Sequence, residues 1–284
     1  MLKNFQRLSI LYAILIFTLF LNCEAQTKKF IAIIPPLHSR NQLGSLENPL
    51  QLSKQQFILF VYPNAVAVYS ESTFINQSNN MVNQEMALPS TGHFENKNEP
   101  NNSRISNGIL NIELWIQGKK VSPQQIHDGG VDWFTIQTKF APHQTQTIKT
   151  LFWAETSLTD IDSIPGLNTT LIKPGKRAFL INLAHAAIWN NRINAVDISV
   201  VFKDSILHNS GLIKATPSSY DIKDSAYTWS MNNIEPTHND NIFILYNSGN
   251  TSDSNMSNMS QISHYIKQTV YDQLIYFAAQ LNEL

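Results

Sequence analysis

Apolar residues recur at intervals of two along most of this chain, and that spacing predicts strands. Leu110, Ile112, Leu114 and Ile116 alternate with polar positions over 109–118. Phe134, Ile136 and Phe140 share one face over 133–140, with Thr135, Gln137 and Lys139 on the other. Val196, Ile198, Val200 and Phe202 do the same over 193–202. Further strand candidates lie at 30–34, 148–155, 178–189, 226–231 and 242–246. Over 56–70 two nearly unbroken apolar runs flank Pro63-Asn64, which reads as a hairpin set deep in a sheet. Turn residues separate the runs at Pro35-Pro36, Gly118-Lys119, Gly129-Gly130, Pro165-Gly166 and Asn190-Asn191. Short strands punctuated in this way predict a mainly β chain built as an antiparallel β-sandwich.

Two stretches break the rhythm. Residues 76–107 hold nine Asn and few large apolar side chains, so they read as a surface loop or as a linker between two sub-domains. Residues 249–260 are an Asn/Ser/Met segment of low complexity. Beyond it, Ile262, Ile266, Val270, Leu274, Phe277 and Leu281 recur at helical spacing. They predict a C-terminal amphipathic α-helix of about 20 residues with one apolar stripe, capped by Ser260 or Ser263. Such a stripe docks on the sheet or on a partner chain. The expected organisation is a β-sandwich region over 26–248, followed by linker and helix over 249–284. The hairpin at 56–70 is too small to be stable alone, which favours residues 26–107 adding strands to a shared sandwich.

The first 25 residues form an address. Lys3 and Arg7 precede an apolar run over 8–21, and Cys23-Glu24-Ala25 places small residues where a signal peptidase would cut before Gln26. The run of about 14 residues is short of the ~20 that span a bilayer. The expected location is therefore exported, periplasmic or extracellular. Lipid anchoring at Cys23 is the weaker alternative, because Leu21 and Asn22 are poor neighbours for a lipoprotein signal.

Composition changes the picture mainly by exclusion. With 43 % hydrophobic residues the chain has material for a core, which argues against disorder. A single Cys cannot form a disulfide framework. A sequence pI of about 6.7 gives no bulk charge for nucleic acid. Removing residues 1–25 takes Lys3, Arg7 and Glu24 and leaves 18 basic against 20 acidic residues, a net of −2. Six Asn-x-Ser/Thr triplets begin at Asn76, Asn101, Asn168, Asn250, Asn255 and Asn258. In a chain this rich in Asn, composition alone accounts for them.

Catalytic signatures are absent: there is no Gly-x-Ser-x-Gly, His-Glu-x-x-His, Walker or Gly-x-Gly-x-x-Gly motif. His127 and His238 sit in loops beside Asp, and His185 reads as a core-facing residue of the strand at 178–189. None has the ligand spacing of a zinc site. Asp160-Ile161-Asp162 starts like a calcium loop, but Ile164 stands where an oxygen ligand is wanted. No metal and no cofactor is expected. If the chain were a hydrolase of polysaccharide or envelope polymer, its candidate carboxylates would be Asp128, Asp132, Glu155 and Asp160. The five Trp residues lie on or beside strands, where aromatics serve the core or, when exposed, stack on sugar rings.

Two stretches carry a resemblance. One is Arg177-Ala178-Phe179-Leu180-Ile181-Asn182-Leu183-Ala184-His185-Ala186-Ala187-Ile188-Trp189 with the aliphatic strand at 193–202. The other runs from Trp229 to Ile242 and contains Asn233-x-Glu235-Pro236-x-x-x-Asp240. Over roughly residues 108–247 the chain resembles uncharacterised secreted bacterial β-sandwich domains of unknown function. The resemblance implies the fold and the compartment, and it carries no catalytic residue. The sequence thus favours a non-enzymatic binding or interaction module of the cell envelope, with a protein or envelope partner. The alternatives are the hydrolase above and a structural envelope component.

Overall fold

In the computed structural model, the described residues are 32–34, 36–39, 48–63, 65–89, 109–128, 131–156, 176–203, 212–223 and 225–247. The expected signal segment with Cys23, Asp160, most of the Asn-rich stretch and the C-terminal helix lie outside them.

The described residues form sixteen strands. They are β1 (Ala32–Ile34), β2 (His38–Ser39), β3 (Leu50–Val61), β4 (Ala65–Asn76), β5 (Val82–Pro89), β6 (Ile109–Ile116), β7 (Lys119–Val121) and β8 (Gln124–Asp128). Then come β9 (Val131–Phe140), β10 (Thr145–Glu155), β11 (Lys176–Ile181), β12 (Ile193–Phe202), β13 (Leu212–Thr216), β14 (Asp221–Lys223), β15 (Ala226–Ile234) and β16 (Ile242–Asn247). Eight of them make one large sheet in the order β14-β15-β12-β3-β4-β10-β6-β7. Two four-stranded sheets, β1-β11-β16-β13 and β2-β5-β9-β8, complete the fold.

The pleat explains the layering. On β4, Val66, Val68 and Phe74 point to one face of the large sheet, and on β12 Val196, Ile198, Val200 and Phe202 do the same. They share one core with Met86, Leu88, Ile136 and Phe140 of one small sheet and with Phe179, Ile181, Ile244 and Tyr246 of the other. Both small sheets therefore cover the same face. Burying each such side chain is worth about 1.5–3 kcal/mol.

The hairpin at 56–70 lies at the centre of the large sheet as β3–β4, and Tyr62 N donates to Ala65 O at its tip (2.9 Å). Its apolar continuity follows from neighbours on both edges. At the far end the chain turns a corner. β4 runs on into β5 and β9 into β10, so one long pair of strands bends from the large sheet into a small one. Asn76 holds that corner. Its Nδ2 donates to Asn80 O (2.7 Å) and Ala141 O (2.8 Å), and its Oδ1 accepts from Ser78 N and Oγ. The side chain is fully buried, so this Asn-x-Ser triplet has no free amide to carry a glycan.

Three expectations need correction. First, the sheets are not wholly antiparallel: β12 pairs β3, and β1 pairs β11, in parallel. Alternation records which face a residue takes and says nothing of strand direction. Second, part of the Asn-rich stretch is a strand, β5. Its inward positions include polar Gln84, which donates to Ser39 Oγ (2.7 Å), and this breaks the apolar pattern. Third, the run 178–189 is not one strand. β11 ends at Ile181, and Leu183–Ile188 is a 3-10 helix. Ala184, Ala186 and Ala187 lack the branching that favours strand. Leu183 and Ala186, three apart, are buried as a three-residue turn requires. His185 is consequently half-buried on this turn and not a core residue of a strand.

Candidate functional site

The candidate carboxylates can be placed as far as they are described. His127 faces Asp132 across the β8–β9 hairpin, with Nδ1 and Oδ1 2.7 Å apart on an exposed surface. Asp128 pairs with Val131 one step further on, so the pleat sends it to the opposite face of the hairpin from Asp132. Glu155 ends β10 in a different sheet, opposite Ala65, and nothing is described of its side chain. The one candidate pair that can be followed, Asp128 and Asp132, diverges. Among the described residues no group of three or more His, Cys, Asp or Glu could hold a metal ion.

His238 lies on a short 3-10 turn, His238–Asp240, that Thr237 and Asp240 cap reciprocally. Thr237 N and Oγ1 both donate to Asp240 Oδ2 (2.7 Å), and Asn239 N donates to Thr237 Oγ1 (3.2 Å). The Asp of the Asn-x-Glu-Pro-x-x-x-Asp signature is therefore spent on the backbone. Several polar residues within the core of the large sheet pair with one another or with the backbone. Ser72 donates to Gln55 Oε1 (2.7 Å), Gln55 Nε2 reaches Glu71 O (3.4 Å), and Ser70 and Thr150 hydroxyls meet at 2.9 Å.

The Trp residues divide. Trp189 is in the core, its indole donating to Leu37 O (3.0 Å) and its ring 4.8 Å from Phe74. Trp229 is buried and donates to Pro217 O (3.1 Å). Trp115, Trp133 and Trp153 are half-buried.

A further pair of half-buried aromatic rings lies at the β14 edge of the large sheet. Tyr220 precedes β14 and Tyr227 lies on β15, both half-buried, with ring centroids 5.4 Å apart at 71°. Trp229 backs them, 5.4 Å from Tyr220 at 56°. Ile222 is paired with Tyr227 in register, on the same face, and is 68 % exposed. Behind this pair an aromatic chain runs inward from Tyr227 through Phe202 (5.7 Å) to Tyr246 (5.9 Å). Burial, with the neighbouring Tyr220, raises the Tyr227 phenol's pKa, so it stays a neutral donor at physiological pH. Angled rings with hydroxyl tips can stack on a ring's C–H face while offering hydrogen bonds at its rim. Sequence reasoning missed this site because Tyr220 sits outside any apolar period, and the β14–β15 hairpin brings it to Tyr227.

No protein-family model matches the chain, and no curated protein matches it either. Among solved structures, the chain is similar to a putative nutrient binding protein of Legionella pneumophila. The TM-score is 0.54 at 15 % identity, covering 77 % of this chain and 71 % of that one. An M1 zinc metallopeptidase from Deinococcus radiodurans gives a TM-score of 0.36 at 11 % identity, over 70 % of this chain and 43 % of the other. Yeast LTA4 hydrolase gives 0.40 at 12 % identity, over 70 % and 29 %. The Legionella protein shares the fold. The two enzymes are matched over less than half their length, and their similarity is too low to carry an argument.

Proposed function

We propose that the chain is an exported protein of the cell envelope that works as a non-enzymatic binding module. The observation that carries this reading is the half-buried pair of Tyr220 and Tyr227 beside exposed Ile222. An apolar, hydroxyl-tipped surface of this kind suits a saccharide ring. The Legionella protein's description as a putative nutrient binding protein agrees with a binding role. Glycoside hydrolysis, the alternative, needs two carboxyl groups about 5–10 Å apart across one cleft, whereas the pleat sends Asp128 and Asp132 to opposite faces of their hairpin.

Thermal-shift measurements on the chain with oligosaccharides, peptidoglycan fragments, lipids and divalent metals test the reading. A ligand at a hundred times its dissociation constant stabilises the fold by about 2.7 kcal/mol. An oligosaccharide-dependent rise in Tm is expected, and it should vanish in Tyr220→Ala with Tyr227→Ala. A rise that survives both substitutions removes the tyrosine pair from the reading. A flat response across the panel removes the small-ligand role altogether.

A further inference from the structure

The large sheet has a second face, away from the two small sheets, and it is split in two. One half is polar: Lys149 Nζ lies 3.1 Å from Glu71 Oε2, and Ser230 donates to Asp197 (2.9 Å). The other half, toward the β3–β4 tip, carries Ile58, Phe60, Tyr69, Leu151 and Val201 in a separate apolar cluster. Among the described residues, every member of that cluster comes from the large sheet itself. Yet Ile58 is 0 % and Phe60 1 % exposed. A side chain on an uncovered sheet face keeps its tip in water, so something lies over these. Lys203 supplies a little of the cover, its Nζ 4.0 Å from the Phe60 ring centroid, and burial lowers its pKa.

We infer that residues 262–281 are the cover, docked as an amphipathic helix on this half-face of their own chain. Three observations select that occupant. The cluster and its partly buried margin, from Ala226 on β15 to Trp115 on β6, cross six adjacent strands. At about 4.8 Å per strand that is about 24 Å. The stripe from Ile262 to Leu281 spans about 28 Å as a helix, and it is apolar on one side only. Along the strands the patch is shorter, from Ile58 to Tyr62 about 13 Å, so the helix lies across them. The chain also leaves the described fold in the right place. Tyr246, next to the last described residue, donates to Tyr62 O (3.2 Å) at the hairpin tip that borders the patch. The 14 residues 248–261 reach up to about 50 Å, ample to pass round that end.

The test is photocrosslinking in the full chain, with p-benzoylphenylalanine in place of half-buried Trp153 at the margin of the patch. The expected product has the mass of one chain and joins residue 153 to a peptide from 261–284. A crosslink to residues 1–31, 157–175 or 204–211, a product with the mass of two chains, or no crosslink overturns the inference. A second variant reads the same contact independently. Val270→Asp with Leu274→Asp should keep the β-sheet circular dichroism, increase binding of an apolar dye and lower Tm by roughly 5–15 °C. Gln268→Asp, off the stripe, should leave both readings unchanged. Unaltered dye binding and Tm in the double variant would also overturn it.

Discussion

Asn76 shows how much one side chain can decide in a β fold. Its amide spends both donors on the carbonyls of Asn80 and Ala141 and its oxygen on Ser78, tying together the two turns where the strand pair bends. Asn76→Ala removes these hydrogen bonds from the buried end of the corner and should cost about 1–3 kcal/mol in urea unfolding. Asn76→Asp should cost more, because it aims a carboxylate oxygen at two carbonyl oxygens. Tyr246 makes a second case, through pH. Its phenol is fully buried, meets Thr156 Oγ1 at 2.6 Å, and is pushed well above its ordinary pKa of 10 by burial, against the smaller pull of Thr156 and Arg177. Below pH 10 the phenol is neutral in both folded and unfolded chains. Above pH 10 the unfolded phenol ionises while the folded one keeps its proton, so stability falls by about 1.4 kcal/mol per pH unit for each such group. Burial raises Tyr62 and Tyr69 as well. Tyr246→Phe should therefore be less stable at pH 8 by about 1 kcal/mol. Its alkaline decline, measured as unfolding free energy from pH 9 to 11, should be shallower by about one proton.

At the scale of elements, what could be read from sequence was whatever local pattern encodes. β12 was legible to the residue at 193–202, because Val196, Ile198, Val200 and Phe202 all meet one core. The β3–β4 hairpin was legible because Pro63 interrupts two runs that have sheet neighbours on both sides. β5 was hidden because Gln84 faces inward and finds its partner, Ser39, 45 residues away. The 3-10 helix at Leu183–Ile188 was misread because apolar alanines fit a buried strand and a buried turn equally well by hydropathy. The parallel pairing of β3 with β12 has no local signature, since it joins segments about 140 residues apart. Side-chain juxtaposition was illegible for a related reason. Carboxylates near one another in sequence, Asp128 and Asp132, are sent to opposite faces by the pleat, while the tyrosines that meet are joined by a hairpin of exposed, mostly polar residues.

For the whole molecule the decisive fact is that three sheets share one core. β1 belongs to one small sheet, β2 and β5 to the other, and β3 and β4 to the centre of the large one. Removing any sheet would expose the faces of the remaining two, so unfolding should be a single cooperative transition. Native-state hydrogen exchange resolves how far this holds. Amides of β3 and β4, bonded to neighbours on both sides, should exchange only through global unfolding. Amides of the exposed edge strands β14 and β8 should exchange by local opening at much lower free energy. The discriminating strands are β5 and β9, because they continue β4 and β10 round the Asn76 corner. If the corner transmits stability, β5 and β9 exchange with the same free energy and denaturant dependence as β4 and β10. Exchange of β5, β8 and β9 together, well before β4 and β10, would instead make that small sheet a unit that opens on its own, with the corner as its hinge.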